Sequence, residues 1–491
     1  MKTIYMYICA LILSASLSTS CSSLLNIEET DFIGGDLALR TVKDNESLLM
    51  GAYSALGSEG VTGATGYEMG LKMNGVLSDE LRHGDFYVTQ STHEWKFNYD
   101  DITIRDTYMA NRTYYRVIDR VNRILGALPN AVVEEPADEV RSKNIKGEAL
   151  LLRAFSHFEL FRYYAGNYKD GGLVMPYMEE ASLVNQARIE MEEYFTKILR
   201  DLNDSKSLLK NSLSDVYRMN LVTADALHAR IALYMENWED AIKYSTNYIN
   251  AIPLATQAEF DNIWTDKSSA EISFKLKRTN ASRVGSFFLG LFTKTDGKII
   301  APASVSWAPS EKLWNSYDQK NDVRFNAYLI DEPILEQAGK LHKILKKYSG
   351  TGYATSNENV ADIKVFRTGE MYLIRAEARA EINQYTGANS AESDINILRG
   401  QRITDYKGVT FASKDVALSN IMEERFKELA LEGHRFWDLK RKGLPVVRTG
   451  ADIPSEDGKT LEAGNFRFVM PIPKSEMNAN NLMKQNPGYN N

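Results

Sequence analysis

The sequence predicts a mainly α-helical protein of stacked helix pairs, carrying long irregular loops and minor β-hairpins. Three observations point there. Proline is missing from 177–252 and from 334–444, and inside a helix proline loses a hydrogen bond and clashes with the preceding turn. Leu151, Ala154, Phe155, Phe158, Phe161 and Ala165 recur at spacings of three and four, the period of one helix face. Ala229, Ala241 and Pro253 are spaced by twelve, with Trp238 at the turn between them. Small residues there let two helices approach closely, and the proline stops the second. That is the tetratricopeptide spacing, a helix pair that cannot bury its own faces and so stacks on neighbours.

The chain begins with Lys2, an apolar run from Ile4 to Leu17, the small polar stretch Ser18-Thr19-Ser20, and Cys21. The run is too short for a stable membrane span but suits the core of a signal peptide, here residues 1–20. Small residues leading to a cysteine resemble the lipobox of bacterial lipoproteins, which makes Cys21 the acylated first residue of a mature body, 21–491. Each buried acyl CH₂ contributes about 0.8 kcal/mol, so several chains anchor stably. Helical periodicity then predicts helices at about 45–56, 107–126, 147–168, 188–210, 222–235, 239–250, 368–383, 389–401 and 415–433. The scaffold therefore covers about 40–56, 107–253 and 364–441, with 147–164 expected to pair with 188–210 and 368–383 with 389–401. His157 and Arg162 fall off the apolar stripe. Residues 57–106 and 254–363 are rich in Gly, Ser, Thr, Asn and aromatics without a sustained period; irregular stretches of that length are expected to carry function. Loop-rich residues 442–491 close the chain, with a strand-like run at Phe466–Pro471.

Hydrophobic residues make up 44% of the chain, enough apolar surface for a large core. Cys9 is the only other cysteine and lies in the leader, so the mature body has no disulfide and relies on burial. A net charge of −7 argues against nucleic acid as a partner. The GxSxG, HExxH, GxxxxGK[ST] and GxGxxG patterns are all missing. His83, His93, His157, His228, His342 and His434 are scattered without ligand spacing. Neighbouring acids such as Asp79-Glu80 and Asp100-Asp101 do not establish the two flanking carboxylates that glycoside hydrolysis needs, and among 65 acidic residues they read as surface. The sequence predicts no enzyme, no cofactor and no metal.

The densest constellation is Glu424-Arg425-Phe426-Lys427-Glu428-Leu429, followed by Glu432-Gly433-His434-Arg435 and Asp438-Leu439-Lys440-Arg441-Lys442-Gly443. It predicts a helix ending at Gly433 and a shorter one leading off. Arg425 and Arg435 are candidates for bidentate pairs with Glu428, Glu432 or Asp438. The string closely resembles the ER-x-x-EL-x-x-EG-x-R-x-x-DL-x-R-x-G signature of the SusD/RagB family of Bacteroidota outer-membrane nutrient-binding lipoproteins. Other segments are similar to that family in order: Gly51-Ala52-Tyr53, Tyr115 through Leu125, Gly147-Glu148-Ala149 through Tyr164, Phe366-Arg367 through Ala378, Pro471-Ile472-Pro473 and Gln485-Asn486-Pro487-Gly488-Tyr489.

The resemblance implies a tetratricopeptide-like scaffold with long loops. It also implies a lipid-anchored, surface-exposed outer-membrane protein that captures an oligomeric nutrient for a SusC-like TonB-dependent transporter. A glycan is the leading ligand, an oligosaccharide held on aromatic faces with polar side chains on its hydroxyls; a peptide is the alternative. Trp238 and Trp437 belong to structural motifs. Trp95, Trp307 and Tyr353 are the first ligand candidates, Tyr67, Tyr87 and Trp314 the second, with Asp79, Glu80, Arg82 and Asn98 as polar helpers.

Overall fold

A computed structural model describes residues 38–57, 66–84, 90–98, 110–282, 294–295, 298–299, 305–350, 352 and 360–489. Cys21, Tyr87 and Tyr353 lie outside them. The scaffold helices are α1 (Val42–Leu56), α2 (Tyr67–Leu77), α3 (Ala110–Ala127), α4 (Ala137–Tyr164), α5 (Met191–Leu208), α6 (Leu221–Met235), α7 (Trp238–Ala251), α8 (Thr368–Glu381), α9 (Ala391–Gly400), α10 (Lys414–Glu428) and α11 (Arg435–Arg441). Successive helices pack in pairs and the pairs stack: α3 on α4, α4 on α5, α6 on α7, α7 on α8, α8 on α9 and α10. Both predicted pairings are present, and the scaffold is tetratricopeptide-like.

Local chemistry sets the turns. Between α6 and α7, Glu236 adopts a left-handed φ of 58° and Asn237 caps the next helix, its Oδ1 accepting from the Asp240 N–H at 3.2 Å. Ala229 on α6 and Ala241 on α7 are both fully buried in the core where the two helices pack. Along α4, every residue from Gly147 to Tyr164 is buried, so this is the central helix of one large core rather than an amphipathic one. His157 and Arg162, off the apolar stripe, are interior too. His157 stacks on Tyr177 at 3.8 Å, and Arg162 pairs with Glu159 at 2.8 Å and donates to the Gly433 carbonyl at 2.6 Å. A smaller apolar cluster, including Leu373, Ile395, Leu398 and Ile421, holds α8, α9 and α10 together.

Two expectations are corrected. The stretch 57–106 was expected to be irregular, yet it contains α2. This helix is buried on nearly all sides and carries Gly70 and Gly75, which hides its period; a Cβ on Gly75 would come within 2.8 Å of Leu81. The helix expected to run to Gly433 stops at Glu428. Side chains take its last carbonyls: Tyr317 Oη donates to Lys427 O at 2.8 Å, Tyr328 Oη to Glu428 O at 3.0 Å, and Lys347 Nζ to Ala430 O at 2.6 Å. The Leu431 N–H turns away to Glu80 Oε1 at 3.0 Å, and Leu431 is left at a φ of 63°, unusual for a side chain of that size.

Below that turn lies a buried ionic lattice. Arg324, Arg367, Arg399, Arg402 and Lys347 interleave with Asp322, Glu271, Glu424, Glu428 and Glu432, so charges cancel one for one. Arg425 forms the expected bidentate pair with Asp438, at 2.8 and 3.1 Å.

The strands form two-stranded antiparallel pieces. Among them are β1 (Leu81–His83), β2 (Ile272–Leu276), β3 (Trp307–Pro309), β4 (Leu329–Asp331), β5 (Lys343–Leu345) and β6 (Ile363–Arg367); β1 pairs with β3, β2 with β6, and β4 with β5. No described helix is long and apolar enough to cross a membrane.

Candidate functional site

The two irregular regions of the sequence meet at one strand pair. β1, from the first, lies antiparallel to β3, from the second, in the register Leu81↔Pro309, Arg82↔Ala308 and His83↔Trp307. The turn ahead of β1 is tied to the C-terminal signature. Asp79 accepts two hydrogen bonds from Arg435, at 2.8 and 2.9 Å, and one from Lys312 Nζ at 2.5 Å. Arg435 was expected to pair with Glu428, Glu432 or Asp438. It turns instead to Asp79, because those three carboxylates are taken by Arg324, Arg367, Arg402, Lys347, Arg425 and Arg441.

Two adjacent acids thereby acquire opposite character. Burial pushes the Asp79 carboxyl up, but Arg435 and Lys312 outweigh it and hold the group well below the usual carboxylate range. Glu80 has no such partner. Burial pushes it up to about 8, opposed by the Leu431 N–H on Oε1 and reinforced by the Asp79 charge, and its Oε2 is buried without a hydrogen-bond partner. Asp79 and Glu80, expected as exposed polar helpers, are thus buried and bonded to the C-terminal signature and Lys312.

The aromatic candidates are corrected likewise. Trp95 is 3% exposed, and Trp307 is 1% exposed. Trp95 Nε1 donates to Leu77 O at 2.9 Å, and the Arg448 guanidinium covers its face at 4.2 Å. Trp307 meets the edge of His93 at 5.1 Å. Trp314 is buried against Phe325, and Tyr67 lies in the core against Phe155. In each case burial of a large aromatic outweighs its place in a nominal loop. The polar side chains near this strand pair differ in exposure: Arg82 is partly buried, its Nη1 3.8 Å from Glu311 Oε1, while Lys96, paired with Glu94 and Asp457, and Asn98 are exposed.

Sequence reasoning missed His93, Lys312 and Arg448 as parts of this junction. Arg448 donates to the carbonyls of Val76, Ser78, His93 and Gly458, stitching α2 to the C-terminal region across contacts separated by up to 372 residues. No local pattern marks such a residue. His93 gives its Nδ1 to the Val76 carbonyl at 2.9 Å, and burial holds the ring below the usual imidazole range. Ser310 is a helix cap, accepting from the Leu313 N–H at 3.0 Å and donating to Asp79 O at 2.7 Å. These groups position backbone; they do not form a nucleophile and base. Among the described residues Asp331, Glu336 and His342 are grouped closely enough to hold a metal ion, but they sit at the surface, where His342 pairs with Asp331 at 2.6 Å.

Several clefts open on the described surface, among them one of about 600 Å³ between the start of α4 and residues 209–220. A second, about 630 Å³, runs along α10 and shares Lys312 and Arg435 with the Asp79 cluster. Another, about 340 Å³, lies between α3 and residues 176–186. All three fall within the size range of small-ligand pockets.

The geometry defines a scaffold of stacked helix pairs, and solved structures of known proteins share that fold. The family described as "Starch-binding associating with outer membrane" matches residues 56–233, and the one described as "SusD family" matches residues 303–489. A SusD superfamily structure from Bacteroides vulgatus superposes with a TM-score of 0.78 at 23% identity, over 92% of this chain and 100% of that one. A SusD-like protein of Formosa agariphila is 24% identical over 92% of this chain and 93% of its own. The starch-binding protein SusD of Bacteroides thetaiotaomicron is 32% identical over 26% of this chain and 22% of its own. This chain belongs to the SusD/RagB family.

Proposed function

We propose that this chain is a saccharide-capturing lipoprotein, acylated at Cys21, held at the outer membrane and exposed at the cell surface, which passes its ligand to a SusC-like TonB-dependent transporter. The observation that carries this reading is the β1–β3 junction, where both irregular regions meet under the C-terminal signature, with Arg82 facing Glu311 and further exposed polar residues, Lys96 and Asn98, on the first of those regions. Hydrogen-bonding side chains on a rigid base suit hydroxyl-rich ligands, since a pre-organised polar rim loses little entropy on binding. The starch named for the Bacteroides thetaiotaomicron relative supports a glycan over a peptide. The chain acts by binding, not by turnover. Probing the purified protein against a saccharide array and a peptide library tests this reading: saccharide binding supports it, and binding to peptides alone overturns it.

A further inference from the structure

The cleft along α10 has an unusual charge structure. Its walls carry Lys312, Lys427, Arg435 and Lys442, against the single carboxylate of Glu423. Each lysine is a surplus cation on a carboxylate that another cation already holds. Lys312 shares Asp79 with Arg435, which binds it through two nitrogens. Lys427 lies 3.8 Å from Glu424, behind Arg324 at 2.5 Å and Arg399 at 2.6 Å. Lys442 reaches Glu381 at 3.0 Å, where Lys414 stands at 2.6 Å, and Glu377 at 3.5 Å, where Arg441 stands at 2.5 Å. The lattice beneath is neutral without Lys427, so the cleft is left with net positive charge in partly desolvated walls. There an anion is attracted more strongly than at an open surface. The crowding is visible in Lys427 itself, which burial, Arg324 and Arg399 all push below its ordinary range against the pull of Glu424.

The rest of the lining fits a sugar rather than a bare ion. Leu418, Met422 and Leu444 form an apolar floor of partly exposed side chains, and Ser316 and Ser419 add hydroxyls. The Phe426 ring lies beneath Lys312 and Arg435, at 5.1 and 4.8 Å, and holds the two cations side by side. We infer that this cleft binds an acidic saccharide, its carboxylate or sulfate set between Lys312 and Lys427 and its C–H faces on the Leu418–Met422–Leu444 floor. This rests on the saccharide-capture reading and narrows its ligand class.

Calorimetric titration of the full chain in detergent tests it with four probes: an oligogalacturonate, a sulfated galactan oligosaccharide, neutral maltoheptaose and oligoglutamate. One or both acidic saccharides should bind at least about tenfold tighter than maltoheptaose, the ratio expected for one desolvated charge-assisted contact, and should weaken as salt rises. Which of the two binds tighter distinguishes a carboxylate from a sulfate ligand. The double variant Lys312→Gln/Lys427→Gln should lose about that same tenfold for the acidic saccharide and much less for maltoheptaose, so that the acidic preference disappears. Lys312→Gln alone, at a half-exposed side chain, serves if the double variant melts early. Acidic saccharides bound no better than maltoheptaose, salt-independent binding, an unchanged affinity in both variants, or oligoglutamate bound as tightly would each overturn the inference. Neutral saccharides bound without acidic preference defeat the cleft assignment alone, whereas failure of all three saccharides defeats saccharide capture as well.

Discussion

Arg435 and Asp79 are 356 residues apart in the chain and joined by two hydrogen bonds of 2.8 and 2.9 Å. The pair docks the C-terminal signature onto the turn that launches β1, and so fixes the base of the junction. Next to it, Glu80 has no cation in hydrogen-bond contact. That difference makes the two carboxyls respond oppositely to pH.

Glu80 predicts a slope in stability. Its carboxyl is raised to about 8 in the folded chain against roughly 4.3 when unfolded. Between those values the folded state keeps a proton that the unfolded state has released. Its contribution is therefore complete below the unfolded value and is lost as pH rises toward the folded one, at no more than about 1.4 kcal/mol per pH unit. Asp79 behaves inversely: its stabilisation is present above the unfolded carboxylate value and disappears as pH falls through the depressed folded one. Denaturant unfolding of Glu80→Gln at pH 5 and pH 8 should show a variant that gains on the wild type as pH rises. A parallel pair of curves would mean that Glu80 is ionised in the fold.

Glu428 anchors the ionic lattice. Its carboxylate meets Arg324 at 2.9 Å, Arg367 at 2.5 Å and Arg402 at 3.0 Å, with all four side chains buried. Burial alone would raise it, but Arg402, Arg367 and Arg324 keep it well below its ordinary value. Glu428→Gln strands buried guanidiniums and should cost about 3–5 kcal/mol. Lys43→Gln, which breaks exposed contacts of 3.7 Å to Glu134 and Glu135, should cost less than about 1 kcal/mol. Unfolding midpoints of the two variants check the contrast.

Trp95→Ala and Trp307→Ala should behave as core deletions, each losing about 3–5 kcal/mol, comparable with Trp437→Ala, whose side chain packs on Tyr163 at 5.0 Å. Thermal melts decide this. Variants that melt like the wild type but lose saccharide would return these tryptophans to the ligand.

Cys21→Ala should abolish metabolic lipid labelling and release the chain from the outer-membrane fraction, because a signal peptide alone supplies no anchor. Normal labelling of the variant would exclude Cys21 as the acylated residue.

The helical scaffold was readable because its signals are local. Proline gaps run along whole helical segments, and the Ala229–Ala241–Pro253 spacing and the stripe in α4 lie close together in the chain. The C-terminal signature announced Arg425–Asp438, thirteen residues apart, but not Arg435–Asp79. The aromatic residues singled out in the irregular regions lie in the core where the structure describes them. Aromatic content marked 57–106 and 254–363 as special, yet composition cannot say which side of a strand a tryptophan takes. Trp307 sits opposite His83 across one register position, and that register is set by a pairing over more than two hundred residues of chain. Arg448, Lys312 and the surplus cations of the cleft were invisible for the same reason. Their meaning lies in which carboxylate they share, and those partners are remote in sequence.

Saccharide capture at the β1–β3 junction is tested most directly by hydrogen exchange of the purified chain with and without its tightest saccharide. Slower exchange is expected in peptides covering residues 79–98 and 305–316, and in those of α10 that line the neighbouring cleft. Protection confined to α3 and residues 176–186, with the junction unchanged, would contradict it.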